Sequence, residues 1–161
     1  MKKRNNTFLK SLAVVALMLL TAAGAARALP FDKYSINRED LPEAAREMLD
    51  EHFPKAKVSM VKTDKHLLKK TDYDVKLTNG TKIEFNNKGA WTSVDCGNKA
   101  IPESLLKKPM LRYVSKNYPD AKIVSIRKNT LAYELRLDSG HQLKFTLIGT
   151  HSSTTPPPAA E

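Results

Sequence analysis

A block of 13 residues occurs twice in this chain, and this repeat restricts the possible folds more than any other feature. Residues 73–85 (YDVKLTNGTKIEF) recur 60 positions later as residues 133–145 (YELRLDSGHQLKF), with Tyr, Leu, Gly and Phe identical at matched positions. A shorter block, FPKAKV at residues 53–58, recurs as YPDAKI at residues 118–123. Self-similarity at a fixed offset is typical of a duplicated structural unit. We therefore expect both halves to share one arrangement of helices and strands.

The 13-residue block predicts two strands joined by a tight turn. Apolar and polar residues alternate in both copies, and the apolar positions of the first copy are Tyr73, Val75, Leu77, Ile83 and Phe85. This period of two is typical of strands with one buried face. Asn79-Gly80 is a strong signal for a two-residue hairpin turn, because both central positions of a type I′ turn need positive φ. Ser139-Gly140 is a weaker version of the same signal.

Large aromatic residues occur on the strand pattern, and we expect them to be part of the core: Tyr73, Phe85, Trp91, Tyr133 and Phe145. The alternative is that they lie exposed on a concave sheet. In that case they would form an anchor patch for a protein partner.

The segments before the strands predict one helix in each half. In the first half, one helical face is formed by apolar residues, namely Leu41, Ala44, Ala45, Met48, Leu49 and Phe53. We expect Asp40 to cap this helix and Glu43 to complete a capping box. In the second half, Pro109 suits the first turn of a helix that presents Met110, Tyr113, Val114 and Tyr118.

These patterns predict an α+β fold of two tandem units, each with a helix packed on a three- to four-stranded antiparallel sheet. We place the first unit at residues 40–96 and the second at residues 97–151, with residues 29–39 as a linker. A unit of about 60 residues buries too little surface to be stable alone, so we expect the two units to share a core.

The end of the second unit departs from the repeat. His151 stands where the first copy has Trp91, and a polar, proline-rich tail follows at once. We therefore expect the fourth strand of the second unit to be missing or very short. Residues 152–161 lack apolar periodicity and are predicted to be a disordered tail.

The order of these blocks resembles the PepSY-like family of exported bacterial proteins. The first half contains LP, a helix, FPxAKV, YxVxLxNGxxIxF and GxW, and the second half contains IP, a helix, YPxAKI and YELxL, over residues 41–149. The resemblance implies a fold similar to that of the beta-lactamase inhibitory protein, in the cell envelope of Bacteroides-like bacteria. It implies no activity, because most members have none established and fold alone does not determine function.

The first 28 residues predict a secretory signal peptide. Basic residues at positions 2–4 precede an apolar core at residues 12–20, and residues 26–28 (ARA) fit the small-x-small cleavage pattern. The apolar run is shorter than the roughly 20 residues that a membrane-spanning helix needs. We therefore expect a periplasmic or secreted protein with no stable membrane insertion after cleavage.

Removal of this segment changes the charge of the chain. Residues 1–28 hold five of the 27 basic residues and none of the 17 acidic ones, so residues 29–161 hold 22 basic and 17 acidic residues, a net charge of +5. Nucleic-acid binding needs a concentrated basic stripe. Basic and acidic residues are interspersed here, so we expect no nucleic-acid partner.

The sequence contains no motif that carries known catalytic or metal chemistry. It has no P-loop, dinucleotide-binding, nucleophile-elbow or HExxH motif. The four histidines lack the spacing of a metal pair and are predicted to lie on the surface: His52, His66, His141 and His151. We interpret Asp72 and Asp74 as solvated strand charges. We therefore predict no cofactor, no metal site and no catalytic residue.

One Lys-rich stretch is the candidate contact site. The first unit has five extra residues within residues 62–70, which we expect to form a protruding hairpin. Its two leucines either fold back onto the sheet or contact a partner. Because loops on a rigid scaffold often carry function, the candidate partner-contact residues are Leu67, Leu68, Lys69 and Lys70.

Cys96 is the single cysteine and lies at the junction of the two units. It is predicted to be a free thiol, because no second cysteine is present to form an intramolecular disulfide. The polar neighbours Asp95 and Asn98 favour partial accessibility over packing between the units. No base lies nearby in sequence to activate the thiol, so we expect no catalytic role.

These observations favour a non-catalytic binding protein of the bacterial envelope that recognises a protein or peptide. Inhibition of a hydrolase is a narrower version that only the family resemblance suggests. The alternative is a small-ligand or metal-binding periplasmic module with the sheet as a pocket wall. An enzyme is the least favoured class, because catalysis needs a positioned set of residues.

Overall fold

The computed structural model describes residues 32–64 and 71–157. These residues belong to one compact unit that begins at Asp32. The predicted signal peptide and the candidate contact residues 67–70 lie outside the described residues.

Nine strands and two helices make up the described part of the chain. The strands are β1 (Lys33–Ser35), β2 (Val58–Asp64), β3 (Asp72–Leu77), β4 (Lys82–Phe85), β5 (Trp91–Asp95), β6 (Ile123–Lys128), β7 (Ala132–Leu137), β8 (Gln142–Thr146) and β9 (His151–Thr155). The helices are α1 (Glu43–His52), between β1 and β2, and α2 (Lys108–Asn117), between β5 and β6. Single 3-10 turns occur at Arg38–Asp40 and Glu103–Leu105.

The strands form one antiparallel sheet in which each strand pairs with its neighbours in sequence. The two halves are joined where β5 pairs with β6, with Val94 opposite Ile126. The predicted α+β class with repeated helix-plus-strand units is therefore confirmed, and the units are fused into a single continuous sheet.

Both helices and one face of the sheet contribute to a single core. α1 supplies Ala45, Met48 and Leu49, and α2 supplies Met110 and Val114. The strand residues of this cluster are the alternating apolar positions, including Val75, Ile83, Phe85, Leu135, Leu143 and Phe145. We call this the helix-covered face. Burial of apolar surface here is the main source of stability.

The aromatic residues of the strand pattern occupy the core, as predicted. Phe85, Tyr133 and Phe145 are buried. Tyr73 and Trp91 are half-buried and pack against the same cluster. The exposed aromatic patch is therefore the wrong alternative.

The prediction that Asp40 caps α1 is wrong. Asp40 ends the 3-10 turn, and α1 begins at Glu43 with Pro42 at the N-cap and no side-chain capping bond. The Asp40 carboxylate instead faces Ser35 and Lys33, and these partners lower its pKa, the Ser35 hydrogen bond most. Because α1 begins at Glu43, Asp40 stands two residues before the N-cap position.

The prediction of a missing fourth strand and a disordered tail from Ser152 is also wrong for residues 152–155. These residues are the body of β9, which pairs with β8 and places Ser153 opposite Lys144. An edge strand such as β9 is held by one row of backbone hydrogen bonds to its neighbour and by an anchor, a side chain that packs against another element. His151 is that anchor, because its ring stacks on Tyr113 with 4.1 Å between centroids.

The predicted linker at residues 29–39 contains a strand. β1 pairs with β2, with Tyr34 opposite Lys62. Its three residues carry no apolar alternation, so no periodic signal marks this strand.

Candidate functional site

The side of the sheet opposite the helices carries the candidate site, and no described element covers it. Alternate strand residues point to this open face, and they surround a depression of about 660 Å³. Its polar lining residues are Lys82, Glu84, Ser93, Asp95, Ser125, Arg127, Glu134, Arg136, Gln142, Lys144, Ser153 and Thr155. They come from strands β4 to β9, so the duplication and fusion of the two units builds this surface.

The open face carries charges of both signs. Arg136 Nη2 lies 3.0 Å from both carboxylate oxygens of Asp95. Arg127 and Glu84 form a looser pair, 3.7 Å apart. These side chains are about half exposed, so the pairs add little to stability. Their cross-strand arrangement instead fixes where each charge stands on the surface.

Two lysines on this face are available for a partner. Lys82 lies opposite Asp95 in the register of β4 and β5, and Lys144 lies opposite Glu134 in that of β7 and β8. Neither lysine forms an ion pair with a carboxylate of the described residues. Both are exposed. The face therefore presents ammonium groups that remain solvated.

Among the described residues, the open face brings together neither a group of metal ligands nor a serine with a histidine opposite it on the strand register. Within residues 32–64 and 71–157, no three His, Cys, Asp or Glu side chains are placed to hold a metal ion. The serines of the open face, Ser93, Ser125 and Ser153, have no histidine beside them on the strand register. Histidine is the base most often found beside a serine nucleophile.

A second charged group lies on the same side, at the start of the sheet. Lys62 Nζ is 2.9 Å from Asp64 and 3.1 Å from Asp32, and these hydrogen bonds raise the pKa of Lys62. Asp74 stands opposite Lys62 in the register. Burial raises the pKa of Asp74, while the Lys62 charge acts in the opposite direction. The prediction of solvated strand charges holds for exposed Asp72, whereas Asp74 is half-buried.

The described histidines lie only partly at the surface, and each one contacts a side chain from another part of the chain. His52 Nδ1 is 2.8 Å from the Ser104 hydroxyl, and His141 packs at a tilt on Tyr118 with 5.2 Å between centroids. His151 stacks on Tyr113. All three are half-buried, and each has a different partner. His66 lies outside the described residues.

The expectation of an accessible Cys96 is wrong. The side chain is buried, with 7% exposed, and the Thr81 hydroxyl donates a hydrogen bond to its sulfur at 3.6 Å. Alternation explains the difference: Asp95 points to the open face, so Cys96 points to the core. Burial raises the pKa of the Cys96 thiol. Cys96 therefore packs in the core, and its state as a free thiol stays a prediction.

We expect slow labelling of Cys96 by a maleimide. The native thiol should react at least about tenfold more slowly than in urea, because only the thiolate reacts and local opening must expose it. The rate should keep rising as pH passes 9, since a raised pKa keeps the thiol protonated to higher pH. Mass spectrometry of quenched samples measures the rate.

The control for this labelling is a cysteine at an exposed turn. Cys96→Ala combined with Thr130→Cys should label rapidly without urea, because Thr130 lies exposed between β6 and β7. Equal native rates for the two proteins would contradict the buried position of Cys96.

Sequence reasoning missed the open face because it followed only the apolar positions. The same alternation that buries Ile83 and Phe85 exposes Lys82 and Glu84. The polar positions of each predicted strand were therefore a usable signal. The candidate residues Leu67, Leu68, Lys69 and Lys70 lie outside the described residues, and their contact role stays a prediction.

No helix in the described ranges is long and apolar enough to cross a membrane.

The fold and the open face define a small α+β protein with a duplicated helix-plus-strand unit. The chain belongs to the PepSY-like family: residues 71–151 match the family described as "Putative beta-lactamase-inhibitor-like, PepSY-like". This match confirms the resemblance seen in the repeated motifs. No curated protein matches the chain.

Three solved structures are similar to the chain, and each is named as a putative periplasmic protein. One from Bacteroides vulgatus, of unknown function, is 38% identical, covers 78% of this chain and 99% of its own, and has a TM-score of 0.74. One from Bacteroides thetaiotaomicron, named as calcium-regulated, is 34% identical and has a TM-score of 0.72. The match covers 77% of this chain and 96% of that protein's chain. A second one from Bacteroides vulgatus is 36% identical and has a TM-score of 0.71. The match covers 82% of this chain and 99% of that protein's chain. Their names agree with the predicted periplasmic location.

Proposed function

We propose that this chain is a non-catalytic periplasmic binding protein whose open face contacts a protein or an extended peptide. The observation that supports this most is the open face itself, a polar surface contributed by six strands and left uncovered by every described element. A rigid sheet with its helices on the other side holds many hydrogen-bonding and charged groups in fixed positions. Such a surface is suited to a large, polar partner.

The shape and polarity of the depression support a macromolecular partner over a small ligand. Small-molecule sites are usually concave and lined mostly by apolar side chains, so that they bury most of the ligand. Here the lining is dominated by Lys, Arg, Glu, Asp, Ser and Thr. A small molecule bound here would stay largely exposed to water.

A metal-binding function has less support. One relative is named as calcium-regulated, and Ca²⁺ takes six to eight oxygen ligands. In the part of this chain that the structure describes, no group of three candidate ligands is placed for an ion. Calcium is therefore an additive in the capture experiment and is not the proposed ligand.

The candidate contact hairpin extends this proposal. We include Leu67, Leu68, Lys69 and Lys70 as partner-contact residues on the basis of their sequence alone. In sequence these residues lie between β2 and β3, two strands of the sheet that carries the open face.

Capture from envelope extract tests the proposal. Tagged residues 29–161 should retain a specific protein partner in moderate salt, with and without added Ca²⁺. Lys82→Glu combined with Lys144→Glu should reduce the retained partner at least about tenfold. The new glutamates would repel the acidic groups of the partner that the two lysines attract, and like charges across an interface weaken binding by more than 1 kcal/mol. Quantitative mass spectrometry of the eluates measures retention.

A matched variant separates the open face from net charge. Arg112→Glu combined with Lys116→Glu makes the same charge change on the exposed side of α2, and it should retain the partner. Leu67→Asp combined with Leu68→Asp reports on the hairpin, where we expect reduced retention. Retention by the open-face variant, or absence of any specific protein in the wild-type eluate, would contradict the proposal.

A further inference from the structure

Three exposed apolar side chains lie together at one end of the sheet. Leu131 is 82% exposed, Leu147 is 40% exposed and Ile148 is 76% exposed. Leu131 precedes β7 and Leu147 follows β8, and these strands pair through Ala132 and Thr146. The three side chains, which we call the apolar tips, therefore project from two adjacent turns.

The two turns are held in place by hydrogen bonds. The Asn129 side-chain oxygen accepts from the backbone N–H of Leu131 at 2.9 Å and of Ala132 at 2.8 Å. In the other turn, Lys107 Nζ donates to the carbonyl oxygen of Leu147 at 2.5 Å. The apolar tips are thus presented by ordered backbone rather than by a loose loop.

The internal repeat shows that the fold does not need these apolar residues. The turn after β4 matches the turn after β8: Gly89 and Gly149 both have positive φ, 78° and 94°, and both close the same backbone hydrogen bonds. At the positions of Leu147 and Ile148, the first copy has Asn87 and Lys88. The same turn is therefore built with a polar tip in one half and an apolar tip in the other.

Three lysines lie near the two turns that carry the apolar tips. Lys107 and Lys128 approach the Tyr133 ring, with Nζ at 5.6 Å and 5.8 Å from its centroid. Lys108 is exposed at the start of α2. None of these three lysines forms an ion pair with a carboxylate among the residues that the structure describes. Lys108 and Lys128 therefore keep solvated charges that can meet an external anion, whereas Lys107 also donates to the Leu147 carbonyl.

We infer that this end of the sheet binds an anionic lipid surface. Apolar side chains with cations beside them match the two layers of such a surface, with the tips among the acyl chains and the ammonium groups at the phosphates. Three side chains are also too few to hold a second copy, because a stable dimer buries about 800 Å² on each partner. The site is distinct from the open face and does not depend on the proposed function.

Flotation with lipid vesicles tests the inference. Residues 29–161, which lack the predicted signal peptide, should float with vesicles of phosphatidylethanolamine and phosphatidylglycerol but not with vesicles of phosphatidylcholine. Binding should fall as salt is raised, because surface attraction between lysines and phosphates is screened. Ile148→Gln should weaken binding about five- to tenfold, since the bound protein would no longer bury an isoleucine side chain at the acyl boundary.

The matched control is Ile36→Gln. Ile36 is 77% exposed, almost the same as Ile148, and follows β1 at the opposite end of the sheet. The same substitution there should leave binding unchanged, whereas Lys108→Gln combined with Lys128→Gln should weaken it. Absence of wild-type flotation, or equal loss in both isoleucine variants, would overturn the inference. Concentration-dependent dimerisation that Ile148→Gln abolishes would also overturn it and assign the tips to a second copy.

Discussion

Replacing Phe145 by alanine should lower the free energy of unfolding by about 3–5 kcal/mol, the range for an aromatic residue removed from a packed core. Phe145 is fully buried in β8. Its ring meets Tyr113 of α2 edge-on at 5.5 Å and His151 of β9 at 5.6 Å. The cavity would therefore open where a helix, the edge strand and the strand next to it meet. Urea denaturation followed by circular dichroism measures the loss.

The control for Phe145 is an exposed leucine of the same sheet. Leu131→Ala should change the free energy of unfolding by less than about 0.5 kcal/mol, because most of this side chain is already in water. It also checks that the apolar tips contribute little to folding. A loss below about 1 kcal/mol for Phe145→Ala would show that the second half carries less of the core than the structure indicates.

The repeat predicted the fold well because both copies have the same alternation of apolar and polar residues around a glycine turn. Even the irregularities recur: the register shifts between Glu84 and Phe85 in β4, and between Lys144 and Phe145 in β8. A 13-residue pattern with a glycine turn fixes which residues face the core. The alternation alone was therefore enough to assign the buried face of each predicted strand.

The edges of the sheet escaped prediction for a physical reason. β1 and β9 each pair on one side only, so backbone hydrogen bonds form them with little apolar burial. Ser152, Ser153, Thr154 and Thr155 show no alternation of apolar and polar residues, although threonine favours extended backbone. The anchor at His151 depends on Tyr113, 38 residues earlier in the chain. No local pattern contains that contact.

The position of Cys96 shows a similar limit. Its sequence neighbours are polar, and polarity alone suggested access to solvent. The alternation of β5 overrides this, because Asp95 and Cys96 point to opposite sides of the sheet. The open face follows from the same rule. Its charged pairs, such as Arg136 with Asp95, join residues 41 positions apart and could be identified only from the strand order.

Replacing Gly89 by alanine should be the most damaging of three glycine substitutions that share one backbone conformation. Gly80, Gly89 and Gly149 all have φ between 78° and 94°, where an L-residue is strained by about 1–2 kcal/mol. They differ in the space that a Cβ would meet. At Gly80 nothing lies within 4 Å, and at Gly149 the nearest atom is Pro109 Cβ at 3.4 Å, an ordinary contact.

At Gly89 the added Cβ would lie 2.9 Å from the backbone nitrogen of Ala45 and 2.9 Å from Pro42 Cβ. The first turn of α1 would have to move off the sheet, and overpacking of this kind adds about 1–3 kcal/mol to the strain. We therefore expect Gly89→Ala to lower the free energy of unfolding by about 2–5 kcal/mol. Gly80→Ala and Gly149→Ala should lose only the strain, about 1–2 kcal/mol each. Urea denaturation of the three variants gives the order, and equal losses would mean that α1 does not depend on the close approach at Gly89.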